Sequence, residues 1–190
     1  MAVVYEQTPN PNALKFVVSR EVRGDKGPLY YKKDPKDNPK QEAPLAYQLF
    51  QFEGVVDVFF GSNFITVGKD DKADWGDIRT EVMDMIREYD DSNNPFVIED
   101  ISPACDDINS DVGASKVEKQ IVQLLDQRVR PAVAQDGGDI TFQSFQEGIV
   151  YLHMQGACAG CPSSTMTLKM GIENLLRHYI PEVTEVRPVA

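Results

Sequence analysis

The chain has 190 residues, 42% of them hydrophobic and 26% charged, which is typical of a globular protein, and its formal net charge is −11. No apolar run is long enough to span a membrane. Nucleic acid and anionic membrane surfaces favour clustered Lys and Arg, so an acidic chain without such clusters argues against both as partners.

The first half of the chain is predicted to contain short strands and two helices. Proline restricts itself and the residue before it, so the Thr-Pro-Asn-Pro-Asn stretch at residues 8–12 predicts an extended turn. Residues 24–40 predict a polar loop with a brief strand at Tyr30 and Tyr31. Asp74 precedes a helical pattern and is predicted to cap that helix. The first segment, at 3–5, is short and apolar, and the remaining predicted elements are strands at 13–18, 55–60 and 64–67 and a helix at 44–54.

No residue pattern in this half indicates catalysis. It contains no histidine and no glycine-rich phosphate loop. We therefore interpret residues 1–104 as an accessory domain.

A polar linker is predicted between two domains. It begins near residue 90 and extends to residue 115, where Asp, Asn, Ser and Pro predominate. Its one apolar stretch, residues 95–98, predicts either an edge strand or a segment that docks on a domain. Cys105 lies in this linker, where a spectator thiol is a better interpretation than a third metal ligand or a resolving thiol.

The second domain, at residues 114–190, is predicted to have the order helix, strand, strand, helix, strand. Ser115 and Glu118 have the spacing of a capping box, and Pro131 is predicted to tighten or end the first helix. The Gln-Asp-Gly-Gly-Asp turn at residues 135–139 predicts a positive φ. A three-stranded sheet with two helices on one face is the simplest closed arrangement. The predicted fold class is therefore two small α+β domains.

Cys158 and Cys161 form a C-x-x-C pair where a strand is followed by a helix. The first N–H groups of a helix lack intrahelical partners and the helix dipole favours negative charge, so a thiolate there is predicted to have a lowered pKa. The thiolate is also the form that binds metal. Gly156 and Gly160 leave room for a bulky group, and Pro162 fits the first helical position.

Three kinds of chemistry use a single C-x-x-C pair. An iron–sulfur or zinc site takes four ligands, which indicates that two chains each supply Cys158 and Cys161 across a twofold axis. Dithiol–disulfide exchange fits the pair locally, but a thioredoxin-type domain needs a βαβ unit before the motif, and here a helix and a hairpin precede it. Zinc held within one chain would need His153 and His178, and neither has ligand spacing.

Several motifs are spaced as in one known family. In the second half these are Gly-Ala-Cys-Ala-Gly-Cys-Pro-Ser-Ser at 156–164 and Asp-Gly-Gly-Asp at 136–139. This half resembles the NifU C-terminal, or Nfu, family of iron–sulfur cluster proteins. The first half resembles the Nfu N-terminal domain through residues 8–12 and through Gly-Ser-Asn-Phe-Ile-Thr-Val at 61–67.

The resemblance implies a cluster carrier or scaffold rather than an enzyme. It implies that Cys158 and Cys161 are cofactor-binding metal ligands for a 4Fe–4S cluster, with 2Fe–2S as the alternative. The loaded protein would be a homodimer that receives the cluster from an upstream assembly scaffold and transfers it to apo iron–sulfur proteins. The alternative function is a thiol–disulfide oxidoreductase that uses the same two cysteines.

The predicted location is the bacterial cytoplasm. The three cysteines are an odd number, which does not fit a secreted disulfide framework and indicates a reducing compartment. The first residues have neither the basic and apolar segments of a signal peptide nor the composition of a transit peptide. The mitochondrial matrix is the alternative if the sequence is a processed form.

Overall fold

In the computed structural model, the described residues are 3–24, 26–34, 39–98, 115–159 and 162–189, with only the backbone described for 162–165. They form two β-sheets, one in each half of the chain. Each sheet has its own buried hydrophobic cluster. The predicted fold class of two α+β units is confirmed. Within the described ranges, no helix combines the length and apolar character needed to cross a membrane.

The first sheet is antiparallel and has five strands. Its elements are β1 (Val4–Gln7), β2 (Ala13–Val17), β3 (Leu29–Lys32), α1 (Pro44–Leu49), β4 (Val55–Phe60), β5 (Phe64–Lys69) and α2 (Trp75–Asp91). The strand order is β1-β2-β5-β4-β3, and buried residues of α1 and α2 complete the hydrophobic cluster on one face. Asp74 caps α2 as predicted, since its carboxylate accepts the N–H of Gly76.

The segment after α2 returns to the first domain. Phe96 is buried in that hydrophobic cluster, and the Arg20 guanidinium lies 3.9 Å from the centroid of its ring. The N–H of Ile98 donates to the carbonyl of Glu42 at 2.7 Å. Of the two predictions for residues 95–98, a docking segment agrees with these contacts and an edge strand does not.

The second sheet has three strands. Its elements are α3 (Lys116–Leu124), α4 (Arg130–Gln135), β6 (Gly138–Gln146), β7 (Ile149–Gly156), α5 (Pro162–Tyr179) and β8 (Glu185–Val189). β6 and β7 form an antiparallel hairpin, and β8 lies parallel to β7 after the crossover through α5. Ser115 and Glu118 form the predicted capping box.

Pro131 does not end the first helix of this half, contrary to one of the two predictions for it. A π-helical turn at Leu125–Val129 joins α3 to α4, and the helix continues through Pro131 to Gln135. In a regular α-helix, proline lacks the donor and clashes with the carbonyl of the preceding turn. A π turn directly before the proline shifts the hydrogen-bond register, so the chain stays helical.

The face of the first sheet that lies away from α1 and α2 packs against the second half. Strand register aligns Lys15, Thr66, Phe59 and Tyr30 in one row across β2, β5, β4 and β3; we call these four residues the cross-strand row. Thr66 and Phe59 are 0% and 1% exposed although neither belongs to the cluster beneath the helices. A ring carbon of Phe59 lies 3.0 Å from where a Cβ on Gly156 would stand, which places β7 against this row.

Candidate functional site

Cys158 lies in the turn after β7 and is buried, with 6% of its surface exposed. We call residues 156–159 the cysteine loop. In it, the N–H of Ala157 donates to the carbonyl of Gly137 at 3.1 Å, and the N–H of Ala159 donates to the carbonyl of Gly156 at 2.9 Å. The Cys158 side chain belongs to the hydrophobic cluster of the second sheet. The thiol therefore points into the domain.

Glycines surround the thiol because a larger residue does not fit. Gly138 and Gly156 pair directly in the β6–β7 register. A Cβ on Gly138 would lie only 2.5 Å from Cys158 Sγ. Gly137 and Gly156 have φ angles of 82° and 60°, which L-residues rarely adopt. The positive φ predicted for the turn at residues 135–139 is confirmed at Gly137.

The structure reverses the predicted acidity of the thiol. Burial, followed by the carboxylates of Asp136 and Asp139, raises the pKa of Cys158 to about 12, whereas the motif predicts a lowered pKa. The physical reason is position, because α5 begins only at Pro162, beyond Cys158. The helix dipole acts close to the first turn, so it does not offset the loss of water around the sulfur.

An ion pair holds the start of β6, next to the glycine that lies against the thiol. Arg130 donates two hydrogen bonds of 2.9 Å to the two carboxylate oxygens of Asp139, which is 4% exposed. Arg130 also donates to Asp126 at 3.1 Å. These hydrogen bonds, which the Asp139 carboxylate accepts, hold the pKa of Arg130 above its ordinary value. The pair ties α4 to the start of β6, beside Gly138, and sequence alone gives Asp139 no partner because the two residues lie on either side of a turn.

Asn10, from the first domain, reaches the cysteine loop. Its Nδ2 donates to the carbonyl of Ala159 at 2.9 Å. Its Oδ1 accepts the N–H of Asn12 at 3.0 Å, and Thr8 Oγ1 donates to its carbonyl at 2.9 Å. The turn predicted at residues 8–12 thus fixes the amide. Sequence reveals the turn but not this contact, because its two partners are 149 residues apart.

The other predicted candidates are either not described or lie away from Cys158. Cys161, Gly160 and Cys105 lie outside the described residues. His153 lies on β7 with its Nδ1 3.2 Å from Gln155 Nε2, and His178 is exposed in the last turn of α5. Across the described ranges, no three His, Cys, Asp or Glu side chains are grouped to hold a metal ion.

Both halves match known protein families. The NifU-like domain matches residues 121–187, and the scaffold protein Nfu/NifU N-terminal domain matches residues 3–93. The chain belongs to the Nfu family. The resemblance indicated by the sequence motifs is therefore confirmed in both halves.

Curated relatives of this Nfu chain include two fly proteins named "NFU1 iron-sulfur cluster scaffold homolog, mitochondrial". The Drosophila willistoni protein is 45% identical over 100% of this chain and 64% of its own length. The Drosophila persimilis protein is 44% identical over 100% and 65%. The chain thus spans just under two thirds of their length. A solution structure of a NifU-like protein from Saccharomyces cerevisiae is 29% identical in sequence. The match covers 52% of this chain and 85% of the yeast chain, with a TM-score of 0.45.

These relatives contradict the predicted bacterial cytoplasmic location. They are named as mitochondrial homologues. The prediction depended on the composition of the first residues. Because the chain spans only part of its relatives' length, the composition of its first residues does not indicate where the protein is located.

Proposed function

We propose that this Nfu chain is an iron–sulfur cluster scaffold and carrier, without enzymatic activity. It binds a cluster through Cys158 and Cys161 and transfers the cluster to apo-proteins. The observation that carries the proposal is the glycine-built turn that places Cys158 between β7 and α5 of a NifU-like domain. The relatives' names, which describe iron–sulfur cluster scaffolds, support the same role.

Two chains share one cluster in this proposal. A 4Fe–4S cubane takes four protein ligands, and each chain supplies the thiolates of Cys158 and Cys161. Thiolate sulfur is the donor that iron–sulfur clusters use, and the described residues offer no third grouped ligand. The loaded form is therefore a homodimer with a twofold axis at the cluster. A 2Fe–2S cluster held by the same four thiolates is the alternative.

Loading requires the cysteine loop to open. Cys158 Sγ packs beside Gly138 inside the hydrophobic cluster of the second sheet, where iron does not reach it. Among its described residues, the turn is held by the N–H groups of Ala157 and Ala159, which donate to Gly137 and Gly156, so we expect it to open without disturbing the sheet. We place the outward rotation of Cys158 before cluster binding.

Transfer then proceeds by ligand exchange. A client cysteine thiolate binds iron as the thiolate of Cys158 or Cys161 leaves, so each iron keeps its number of sulfur ligands. When Cys158 is the ligand that departs, its thiolate takes up a proton as the turn closes, because burial raises the pKa of this thiol. The cluster moves to the client as the dimer separates.

The proposed partners follow from this role. An upstream assembly scaffold supplies the cluster and apo iron–sulfur proteins receive it. The relatives' names support a mitochondrial location. We keep the division into an accessory domain at residues 1–104 and a cluster-binding domain at 114–190.

The alternative function, thiol–disulfide exchange by Cys158 and Cys161, has less support. Exchange requires an accessible thiolate as nucleophile. Cys158 is 6% exposed and burial raises its pKa to about 12, so it is a poor attacking thiol. A zinc-bridged dimer is a further alternative that uses the same four ligands.

Anaerobic reconstitution with iron and sulfide tests the proposal. Absorbance, iron content and solution mass are measured for the wild type and for the Cys158→Ser/Cys161→Ser variant. The proposal expects a brown dimer with one four-iron cluster per two chains, lost in the variant. A colourless monomer that reduces a disulfide substrate would favour the oxidoreductase, and a colourless dimer that takes up zinc would favour the structural site.

A further inference from the structure

The first domain contacts the backbone on both sides of the buried thiol. Three side chains of that domain donate to three carbonyls of the second. Asn10 Nδ2 donates to Ala159 at 2.9 Å, Thr66 Oγ1 to Gly137 at 2.7 Å and Lys15 Nζ to Gln135 at 3.0 Å. The carbonyls belong to the cysteine loop and to the turn beside it, so the contact is with the site itself.

The contact is a close fit. A Cβ on Gly137 would lie 2.9 Å from Thr66 Oγ1 and 3.2 Å from Lys15 Cβ, and one on Gly156 would lie 3.0 Å from Phe59. The Thr66 hydroxyl is fully buried, and water does not replace Gly137 as its partner there without separating the domains. The glycines that shape the turn around the thiol also allow the first domain to approach.

Asn10 is pre-organised for its contact. Its Oδ1 is occupied by the N–H of Asn12, which orients the amide and leaves Nδ2 facing the carbonyl of Ala159. The turn is further held by Trp75, whose Nε1 donates to the carbonyl of Pro11 at 3.1 Å. A fixed donor loses little side-chain entropy when it binds, so the single bond to the loop is favourable.

We propose that the outer face of the first sheet, with Asn10, is a docking surface for the unloaded cysteine loop. Docking and the sharing of a cluster between two chains exclude one another. Asn10 holds the carbonyl of Ala159, between the two cysteines, where a second chain must bring its own pair. The mutual exclusion rests on the proposed function, whereas the docking itself needs no cluster.

The surface recognises the shape of the loop rather than its side chains. Each of its three donors is directed at a main-chain carbonyl, and the Phe59 ring lies against a glycine. The partner that fits is the closed cysteine loop of the same chain. When the loop opens, these carbonyls move and the domain is released.

The test uses the full chain without metal. Asn10→Asp keeps an oxygen for the N–H of Asn12, so the turn is retained, but it replaces the donor to Ala159 by a carboxylate that repels the carbonyl. Thr66→Val removes the hydroxyl at nearly constant volume. The matched controls are Asn93→Asp and Thr80→Val, at exposed positions just after α2 and within it.

The rate of Cys158 alkylation by iodoacetamide, read by peptide mass spectrometry, measures loop release. Loss of one hydrogen bond shifts such an equilibrium by about five- to tenfold, so both variants should be alkylated faster by at least that factor. Amide exchange at Ala157 and Ala159 should rise in parallel. Circular dichroism spectra and melting curves identify any variant that fails to fold, and the other variant then decides the result.

Equal alkylation rates in the folded variants, the controls and the wild type would overturn the docking surface. Cluster loading is then measured separately. Faster loading of Asn10→Asp and Thr66→Val supports mutual exclusion, whereas equal or slower loading overturns it. If the wild type binds no cluster, the proposed function fails, while the alkylation rates still decide whether the domain docks.

Discussion

The Sγ of Cys158 occupies the space in which any residue other than glycine at position 138 would place its Cβ. That Cβ would lie 2.5 Å from the sulfur, and 2.8 Å and 2.9 Å from the backbone of Gln155 and Cys158. Main-chain atoms move less readily than a flexible side chain. The buried orientation of the thiol therefore depends on an absent side chain in the neighbouring strand.

Gly138→Ala should displace the thiol and destabilise the second domain. Overpacking of this kind costs about 1–3 kcal/mol of unfolding free energy. Urea unfolding followed by circular dichroism measures the loss, and Cys158 alkylation should be faster than in the wild type. Gly171→Ala is the matched control, because a Cβ there meets nothing within 4 Å and the residue lies inside α5. It should be stabilising by about 0.5–1 kcal/mol, and equal effects of the two changes would contradict the prediction.

Arg130→Ala should be strongly destabilising, since it leaves the carboxylate of Asp139 buried without its bidentate partner. The expected loss is about 2–4 kcal/mol, measured by denaturant unfolding. Arg130→Lys should recover only part of it, because an ammonium group lacks the planar fork. Arg87→Ala, which removes an exposed pair with Asp84, should change stability by about 0.5 kcal/mol or less. Comparable losses at positions 130 and 87 would show that the Arg130–Asp139 ion pair is not structural.

Asp57 should make stability fall as the pH rises. Burial, opposed in part by Lys32, raises its pKa from 3.8 to about 6. The folded state therefore retains a proton that the unfolded chain releases between these values, and above about pH 6 it holds a disfavoured carboxylate. Asp57→Asn should be more stable than the wild type by about 1–3 kcal/mol at about pH 8, and the difference should shrink by about 1 kcal/mol at about pH 5. Urea unfolding at both pH values measures it.

The control for this pH dependence is Asp84→Asn, whose side chain is largely exposed. Its stability relative to the wild type should change little between the two pH values. A pH-independent effect of Asp57→Asn would mean that the carboxyl titrates normally in the folded protein.

Met166 and Met170 should contribute to the contact between two loaded chains. They are 66% and 59% exposed and lie one turn apart on α5, close to its start after the cysteine pair. In the proposed dimer this end of α5 faces the second copy. Met166→Glu/Met170→Glu should weaken the loaded dimer about tenfold or more, because burying carboxylates without partners is unfavourable. Analytical ultracentrifugation of the reconstituted protein measures the change.

Gln123→Glu/Gln127→Glu adds the same charge at the same spacing on exposed positions before α4. This control should dimerise like the wild type on loading. If both double variants dimerise equally well, the first half of α5 is not part of the dimer contact.

Local patterns were sufficient for most of the secondary structure. The caps at Asp74 and Ser115 depend on side chains and backbone a few residues apart, and both form as predicted. The prediction for Pro131 was incomplete because a π turn, which no sequence period signals, accommodates the proline. The acidity of Cys158 was predicted in the wrong direction because the motif specifies a nearby helix but not the depth of the thiol.

The sequence by itself determined the two α+β halves, the cysteine pair and the glycines beside it, because strand alternation, helix caps and positive φ are set by neighbouring residues. Only the tertiary structure decided where the thiol points, which arginine holds Asp139, and that Asn10 lies on the cysteine loop. These depend on contacts between residues that are distant along the chain, and such contacts form only when the two sheets pack together.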